Sequence, residues 1–216
     1  MKFKIVYCII VKEISNEKGK KVIYNRSECA TFRKVDEEFG KLSNMAGGMP
    51  IIISNVRILT SEALYQSLRF TSGSDDQNKM QKEIIEQKSP MAAKMISKKY
   101  RGCNTRSDWD DLRVSFMKWV IRVKLAYNIR SFGSVLLAIV EDSRRDSFWG
   151  AIPTPDNTAL IGENVLGQLL VELREEMRSK TVSELKYVPT LDVPNFTLFG
   201  QPIDCINLTS NTVRVI

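Results

Sequence analysis

Apolar and β-branched residues alternate loosely from Lys2 to Val11 and again from Val22 to Phe32, with the turn-like Asn16-Glu17-Lys18-Gly19 between them. That pattern predicts an N-terminal β-hairpin. From Thr60 the apolar period lengthens to 3.6 residues. Together with start signals it predicts helices over Ser61–Phe70, Asp76–Gln87, Pro90–Lys98, Asp108–Tyr127, Phe132–Ile139 and Glu163–Ser179. In the longest of them Leu112, Phe116, Trp119, Val120, Val123 and Tyr127 recur at three- and four-residue steps. This predicts a buried stripe that leaves Lys118, Arg122 and Lys124 able to reach solvent. Gly47–Pro50, Arg101–Asn104 and Ala151–Thr158 read as loops. From Val188 to Ile216 three prolines, Pro189, Pro194 and Pro202, break up short β-prone runs, as in an irregular tail packed on a helical body. The expected fold is therefore α+β and mostly helical: a single domain over residues 1–180 with an N-terminal hairpin, and an irregular strand-and-loop extension over 181–216 packed on it.

Composition narrows the chemistry more than the fold. The 216 residues are 43% hydrophobic and 26% charged, an ordinary globular balance. No apolar run approaches the roughly 20 residues of a spanning helix, so no membrane partner is expected. The decisive count is histidine, which is 0. Ser-His-Asp and Cys-His catalysis, His-bound zinc and a His general base are all excluded within the chain. Cys8, Cys29, Cys103 and Cys205 form no C-x-x-C pair, which reads as reduced thiols in a cytoplasmic protein. The start, with Lys4, Lys12 and Glu13 around a short apolar run, reads as a strand rather than a secretion signal. A net charge of +7 and a pI near 9.2 favour an anionic partner, a nucleic acid or a phosphorylated metabolite.

Three places can carry chemistry. Thr60-Ser61-Glu62 opens a helix, where free N–H groups and the dipole favour an ionised carboxylate suited to stabilising a positive sugar centre; Glu62 as a plain dipole partner is the competing reading. Asp146-Ser147-Phe148-Trp149-Gly150 sets an acid beside two aromatics, a stacking wall or simply core anchors. Gly162-Glu163-Asn164-Val165-Leu166-Gly167 opens another helix; it lacks the Walker lysine, but amides at a helix start can hold phosphate.

In chain order, these segments join Phe39-Gly40-Lys41-Leu42-Ser43-Asn44-Met45-Ala46, Thr60-Ser61-Glu62-Ala63-Leu64-Tyr65-Gln66, Ser89-Pro90-Met91-Ala92-Ala93-Lys94 and Asp108-Trp109. Six such segments in the right order resemble the NADAR superfamily, over roughly Phe32 to Arg178. The family is linked to NAD and ADP-ribose metabolism, and its characterised members are N-glycosidases. Some hydrolyse phosphoribosyl intermediates of riboflavin synthesis; others remove ADP-ribose from guanine and so counter ADP-ribosyltransferase toxins. Where riboflavin-type members commonly carry Thr-Ser-Glu-His, this chain has Ala63 after Glu62, and with Ser43–Gly48 it looks more like the guanine branch.

The resemblance implies that Glu62, Trp109 and Asp146 belong to the catalytic pocket. Phe148, Trp149, Gly150, Gly162 and Asn164 line or close it, and Asn44 contacts ribose or phosphate. Cleaving a C1′–N bond builds an oxocarbenium-like centre that a carboxylate stabilises while water attacks and the base leaves, without metal or cofactor. Lys34 or Lys94 could instead capture a ring-opened C1′ aldehyde as a Schiff base, or serve as phosphate contacts or solvated surface. Lys98, Lys99, Arg101 and Arg106, clustered before Trp109, are the candidate DNA contacts. The expected function is removal of ADP-ribose from guanine in DNA or nucleoside, with an ADP-ribosyltransferase toxin as genetic partner. The alternatives are an N-glycosidase of riboflavin intermediates and a non-catalytic ADP-ribose-binding module. The last is disfavoured because a reader has no need of Glu62 and Asp146 near an anionic ligand.

Overall fold

The computed structural model describes residues 10–16, 19–29, 31–32, 34–71, 74–136, 140–141 and 146–209. The expected strand from Lys2 to Ile9, the helix end Leu137–Ile139 and tail residues 210–216 lie outside them. Strands β1 (Ile10–Asn16) and β2 (Gly19–Asn25) form the expected hairpin, with Asn16 opposite Gly19. The second strand ends at Asn25, not Phe32. The Asn25 side chain accepts the Ser27 backbone N–H at 3.2 Å and turns the chain into a 3-10 turn, Arg26–Glu28, before β3 (Thr31–Phe32). A second hairpin, β4 (Ile51–Ile53) and β5 (Val56–Ile58), has no counterpart in the hydropathy reading. Its two turn residues, Ser54 and Asn55, sit at φ 48° and 64°, the left-handed pair that a tight two-residue turn requires.

The helices follow close to their expected bounds: α1 (Ser61–Ser67), α2 (Asp75–Ile85), α3 (Pro90–Tyr100) and α4 (Trp109–Tyr127). Thr60, Ser74 and Ser89 cap the first three, each accepting a backbone N–H three residues on, and Pro90 occupies the first turn of α3. Helix α5 (Ile129–Gly133) starts three residues ahead of Phe132 and stops at Gly133. There follow β6 (Val140–Glu141), β7 (Ile152–Pro153), β8 (Ala159–Gly162), α6 (Val165–Ser179) and α7 (Val182–Leu185). Helix α7, unanticipated, opens with a capping box between Thr181 and Glu184. The tail adds the short strands β9 (Tyr187–Val188), β10 (Thr197–Leu198), β11 (Gln201–Pro202) and β12 (Ile206–Asn207). The architecture is mixed α and β and mostly helical. Among the described residues no helix is long and apolar enough to cross a membrane.

Contacts divide the chain into two compact units, Met1–Ser43 with Arg130–Ser179 and Asn44–Ile129 with Lys180–Ile216. In the first unit the antiparallel order is β1-β2-β8-β7, with β3 parallel to β6. Val22, Tyr24, Ala151 and Leu160 form its sheet core, and α6 buries Leu166, Leu169, Leu170 and Leu173 at helical spacing. Cys29 is disulfide-bonded, so the expectation of reduced thiols throughout fails there; wide sequence spacing does not report which thiols a fold brings together. Cys103 and Cys205 are free and exposed.

In the second unit α1 is buried along its whole length and packs against α2, α3 and α4. The tail corrects the picture of α4. Lys118 is exposed as expected, but Arg122 and Lys124 are buried. The Arg122 guanidinium donates to the carbonyls of Leu185 at 2.6 Å, Glu184 at 3.0 Å and Tyr187 at 3.1 Å, capping the C-terminal end of α7. Trp119 donates its indole N–H to the Pro189 carbonyl at 2.9 Å. A basic residue on a helix thus becomes an anchor when the tail brings unsatisfied carbonyls to it.

Candidate active site

Glu62 stands in the first turn of α1 and is only 5% exposed. Removing an ionised carboxylate from water is costly unless donors replace the lost hydration. Two amides do so: Asn44 Nδ2 donates to Oε2 and Gln66 Nε2 to Oε1, each at 2.8 Å. Gln66 is in turn fixed by Ser97, whose hydroxyl donates to its Oε1 at 2.7 Å from α3, and by Arg101, 3.4 Å from the same oxygen. Asn44 is fixed through its backbone, since Ser61 Oγ donates to its carbonyl at 3.2 Å. The carboxylate therefore has a set orientation, with both oxygens gripped.

Because a carboxylate only accepts, the Asn44 amide must turn its nitrogen to Glu62, and its Oδ1 then points elsewhere. That oxygen is buried and has no hydrogen-bond partner among the described residues. A buried acceptor left unsatisfied implies a donor that completes the site.

Trp109, the first residue of α4, is also buried. Its ring lies 5.3 Å from that of Tyr65 and stacks at 5.8 Å on Phe116, while the Arg69 guanidinium carbon sits 3.9 Å above it. Burial pushes the Tyr65 hydroxyl well up against the pull of Arg69, so it stays a protonated donor at neutral pH. Burial and the neighbouring Arg101 lower Arg69 to about 10, which leaves it charged. Gln66, Ser97, Tyr65 and Arg69 were not singled out in the sequence. Gln66 had a readable signal, lying one helical turn after Glu62 on the same face.

The candidate DNA contacts divide. Lys98, Lys99 and Arg101 are exposed at the end of α3, as is Lys94 earlier in that helix. Arg106 is buried and cannot serve: its guanidinium pairs with Asp108, donates to Thr71 at 2.6 Å and to the Pro194 carbonyl at 2.8 Å, and lies over Phe116.

The remaining candidates belong to the first unit. Asp146 Oδ1 accepts the backbone N–H groups of Phe148 at 3.0 Å and Trp149 at 2.9 Å, folding residues 146–149 into a turn. The carbonyls of this turn then receive the start of α6: Glu163 donates to Ser147 at 2.6 Å, Asn164 to Gly150 at 3.1 Å, Val165 to Phe148 at 2.9 Å and Leu166 to Trp149 at 3.0 Å. These helix-start amides are thus satisfied by backbone, and the expectation that they hold phosphate is corrected. Gly162 allows the approach, since a Cβ there would lie 2.4 Å from the Gly150 carbonyl oxygen. Asn164, buried at φ 51°, fills the space that Gly167 leaves open. Phe148 and Trp149 are half-buried and meet edge to face at 5.0 Å. Lys34 is exposed. Among the described residues no three Cys, Asp or Glu side chains gather as a metal site.

A riboflavin biosynthesis protein of Vibrio vulnificus is 28% identical over 180 residues, 78% of this chain, which spans only 45% of that protein's length. The N-glycosidase YbiA of Escherichia coli is 29% identical over 151 residues, covering 68% of this chain and 86% of YbiA. The solved NMR structure of E. coli YbiA matches with a TM-score of 0.56 at 28% identity, over 68% of this chain and 83% of that one. The NADAR domain model matches residues 31–178, and the chain belongs to the NADAR domain family.

Proposed function

We propose that the chain is an N-glycosidase that hydrolyses the bond between ribose C1′ and a base, with Glu62 as the carboxylate facing the reacting carbon. The supporting observation is the double amide grip on Glu62, which holds a buried anion in one orientation. As the C1′–N bond lengthens, its electron pair leaves with the base and positive charge grows on the sugar. A carboxylate oriented in advance stabilises that charge without reorganising. Water then adds its hydroxyl to C1′ and its proton to the departing nitrogen. Asn44 Oδ1, an acceptor only, suits a sugar hydroxyl and not a phosphate oxygen.

The first substrate choice is guanine-linked ADP-ribose, on DNA or as a nucleoside, favoured by Ala63 after Glu62 and by the basic chain. The second is a phosphoribosyl intermediate of riboflavin synthesis, favoured by the name of the Vibrio relative. Incubation with guanine-ADP-ribosylated DNA, the corresponding nucleoside, ADP-ribosylated protein and the riboflavin intermediate, followed by mass spectrometry, separates these. Release of ADP-ribose, with unmodified guanine left in the DNA or nucleoside, from the first two alone supports the first choice. Turnover of none of the four overturns the N-glycosidase reading.

If DNA is the carrier, kcat/KM falls steeply with salt on modified DNA and little on the nucleoside, with a slope of about −0.7 to −0.9 per phosphate neutralised. Replacing Lys98, Lys99 and Arg101 together with alanine flattens that slope. An unchanged slope excludes this patch as the DNA contact.

A further inference from the structure

Helix α1 carries both Glu62 and Gln66, yet it is only seven residues long. A helix that short has no lasting stability of its own, so tertiary contacts set where it lies. Its first turn is fixed by the Thr60 cap and by Asn44, but its end is gripped from elsewhere. Resting on the reading of Glu62 as the reacting carboxylate, we propose that tail residues 194–199 are a positioning element of this site, bracing the end of α1 through Gln81, Arg106 and a stack of aromatic rings. This segment lies beyond the NADAR match, which ends at residue 178.

Three bridges join the tail to residues 65–71. Gln81, buried on α2, donates from Nε2 to the Thr197 carbonyl at 3.1 Å and to the Ser67 carbonyl at 3.4 Å, while its Oε1 accepts the Phe199 N–H at 2.7 Å. Arg106, also buried, donates its backbone N–H to the Arg69 carbonyl at 3.0 Å. Its guanidinium donates to Thr71 at 2.6 Å and to the Pro194 carbonyl at 2.8 Å. The third bridge is aromatic: Phe196 stacks on Phe116 at 6.0 Å and 12°, Phe116 stacks on Trp109 at 5.8 Å, and Trp109 meets Tyr65 at 5.3 Å.

Phe199 stands at φ 53°, a left-handed backbone that a bulky residue rarely adopts, and Gly200 follows at φ 77°. That costly pair closes the turn between β10 and β11 and presents the Phe199 N–H to Gln81. A tail that only covered apolar surface would need neither the strained turn nor two buried polar side chains tying it to one helix. The polar bridges also resist displacement, because breaking either leaves buried carbonyls and N–H groups unsatisfied. Such rigidity matters to a carboxylate that must meet a charge growing on one carbon, where a misplacement of about 1 Å costs on the order of 10²-fold in rate.

The test combines amide hydrogen exchange and kinetics on the full chain. Phe196→Leu keeps an apolar side chain but loses the ring, and Gln81→Met loses the hydrogen bonds at similar length. The control is Val188→Ala, a buried tail position outside the three bridges. Exchange over residues 61–71 quickens about tenfold more than over the rest of the chain in the first two variants, and no more than the rest in the control. In the first two kcat also falls by about tenfold. Placed in a Glu62→Gln background, the same two substitutions change the remaining rate by less than about twofold, since no carboxylate is left to position. Exchange over 61–71 that matches the rest of the chain in both variants overturns the brace. Wild-type kcat, or an equal fractional loss in both backgrounds, overturns its positioning role. Absence of turnover in the wild type removes the glycosidase reading instead, and exchange then decides the brace by itself.

Discussion

Two carboxylates singled out in the sequence, Asp146 and Glu62, are held in opposite ways. Asp146 is held by its own neighbours: the N–H groups it accepts come from two and three residues on, and together they make a turn that receives α6. Glu62 is held by side chains, one of them 18 residues away, and these are braced in turn, Gln66 from α3 and Asn44 by Ser61. A local grip shapes backbone, and its effect is on folding. A grip assembled from distant side chains orients a charge, at the cost of burying it, and this is the pattern expected where charge does chemistry.

The sharpest way to break the comparison is Glu62→Ala. It removes the charge and leaves the Asn44 and Gln66 amides buried without their acceptor, so kcat falls by about 10²-fold or more and unfolding free energy by about 1–3 kcal/mol. Denaturant melts alongside turnover separate the two losses. Gly162→Ala, by contrast, acts only on folding: its Cβ meets the Gly150 carbonyl oxygen at 2.4 Å and the Ala151 Cα at 2.7 Å. It costs about 1–3 kcal/mol in a urea midpoint experiment.

Asp146 sharpens the contrast. Asp146→Asn keeps an oxygen that accepts both N–H groups, so its melting temperature stays near wild type, while Asp146→Ala loses about 1 kcal/mol, as at other capping positions. Any fall in kcat for Asp146→Asn is expected to be smaller than that for Glu62→Gln.

The helices were legible because Thr60, Ser74 and Ser89 signal their starts locally and their apolar period is long. The place of Glu62 at a helix start was legible for the same reason. Its pairing with Asn44 was not, because no local rule connects residues 18 apart; only the joint occurrence of motifs brought both into one list of candidates. Arg106, Arg122 and Lys124 misled in the same manner. A cation is assigned to solvent by default, and only the returning tail supplies the carbonyls that bury Arg106 and Arg122.

Lys124 yields the smallest and most conditional effect. Full burial lowers it from 10.5 to about 7. Between those values the unfolded chain holds the proton and the folded one does not, so stability rises with pH across about pH 7 to 10, by at most about 1.4 kcal/mol per pH unit. Lys124→Met flattens that rise and is more stable than wild type near pH 7, as measured by urea unfolding across the range.

The most direct test of the central claim is the rate of base release by Glu62→Gln on the substrate that the wild type turns over fastest, read by mass spectrometry, with ligand binding measured on the same sample. Glutamine keeps the size of Glu62 and one accepting oxygen but removes the charge. The account predicts retained ligand binding with kcat lowered by about 10²-fold or more. A variant that binds ligand and releases base at close to the wild-type rate would contradict it.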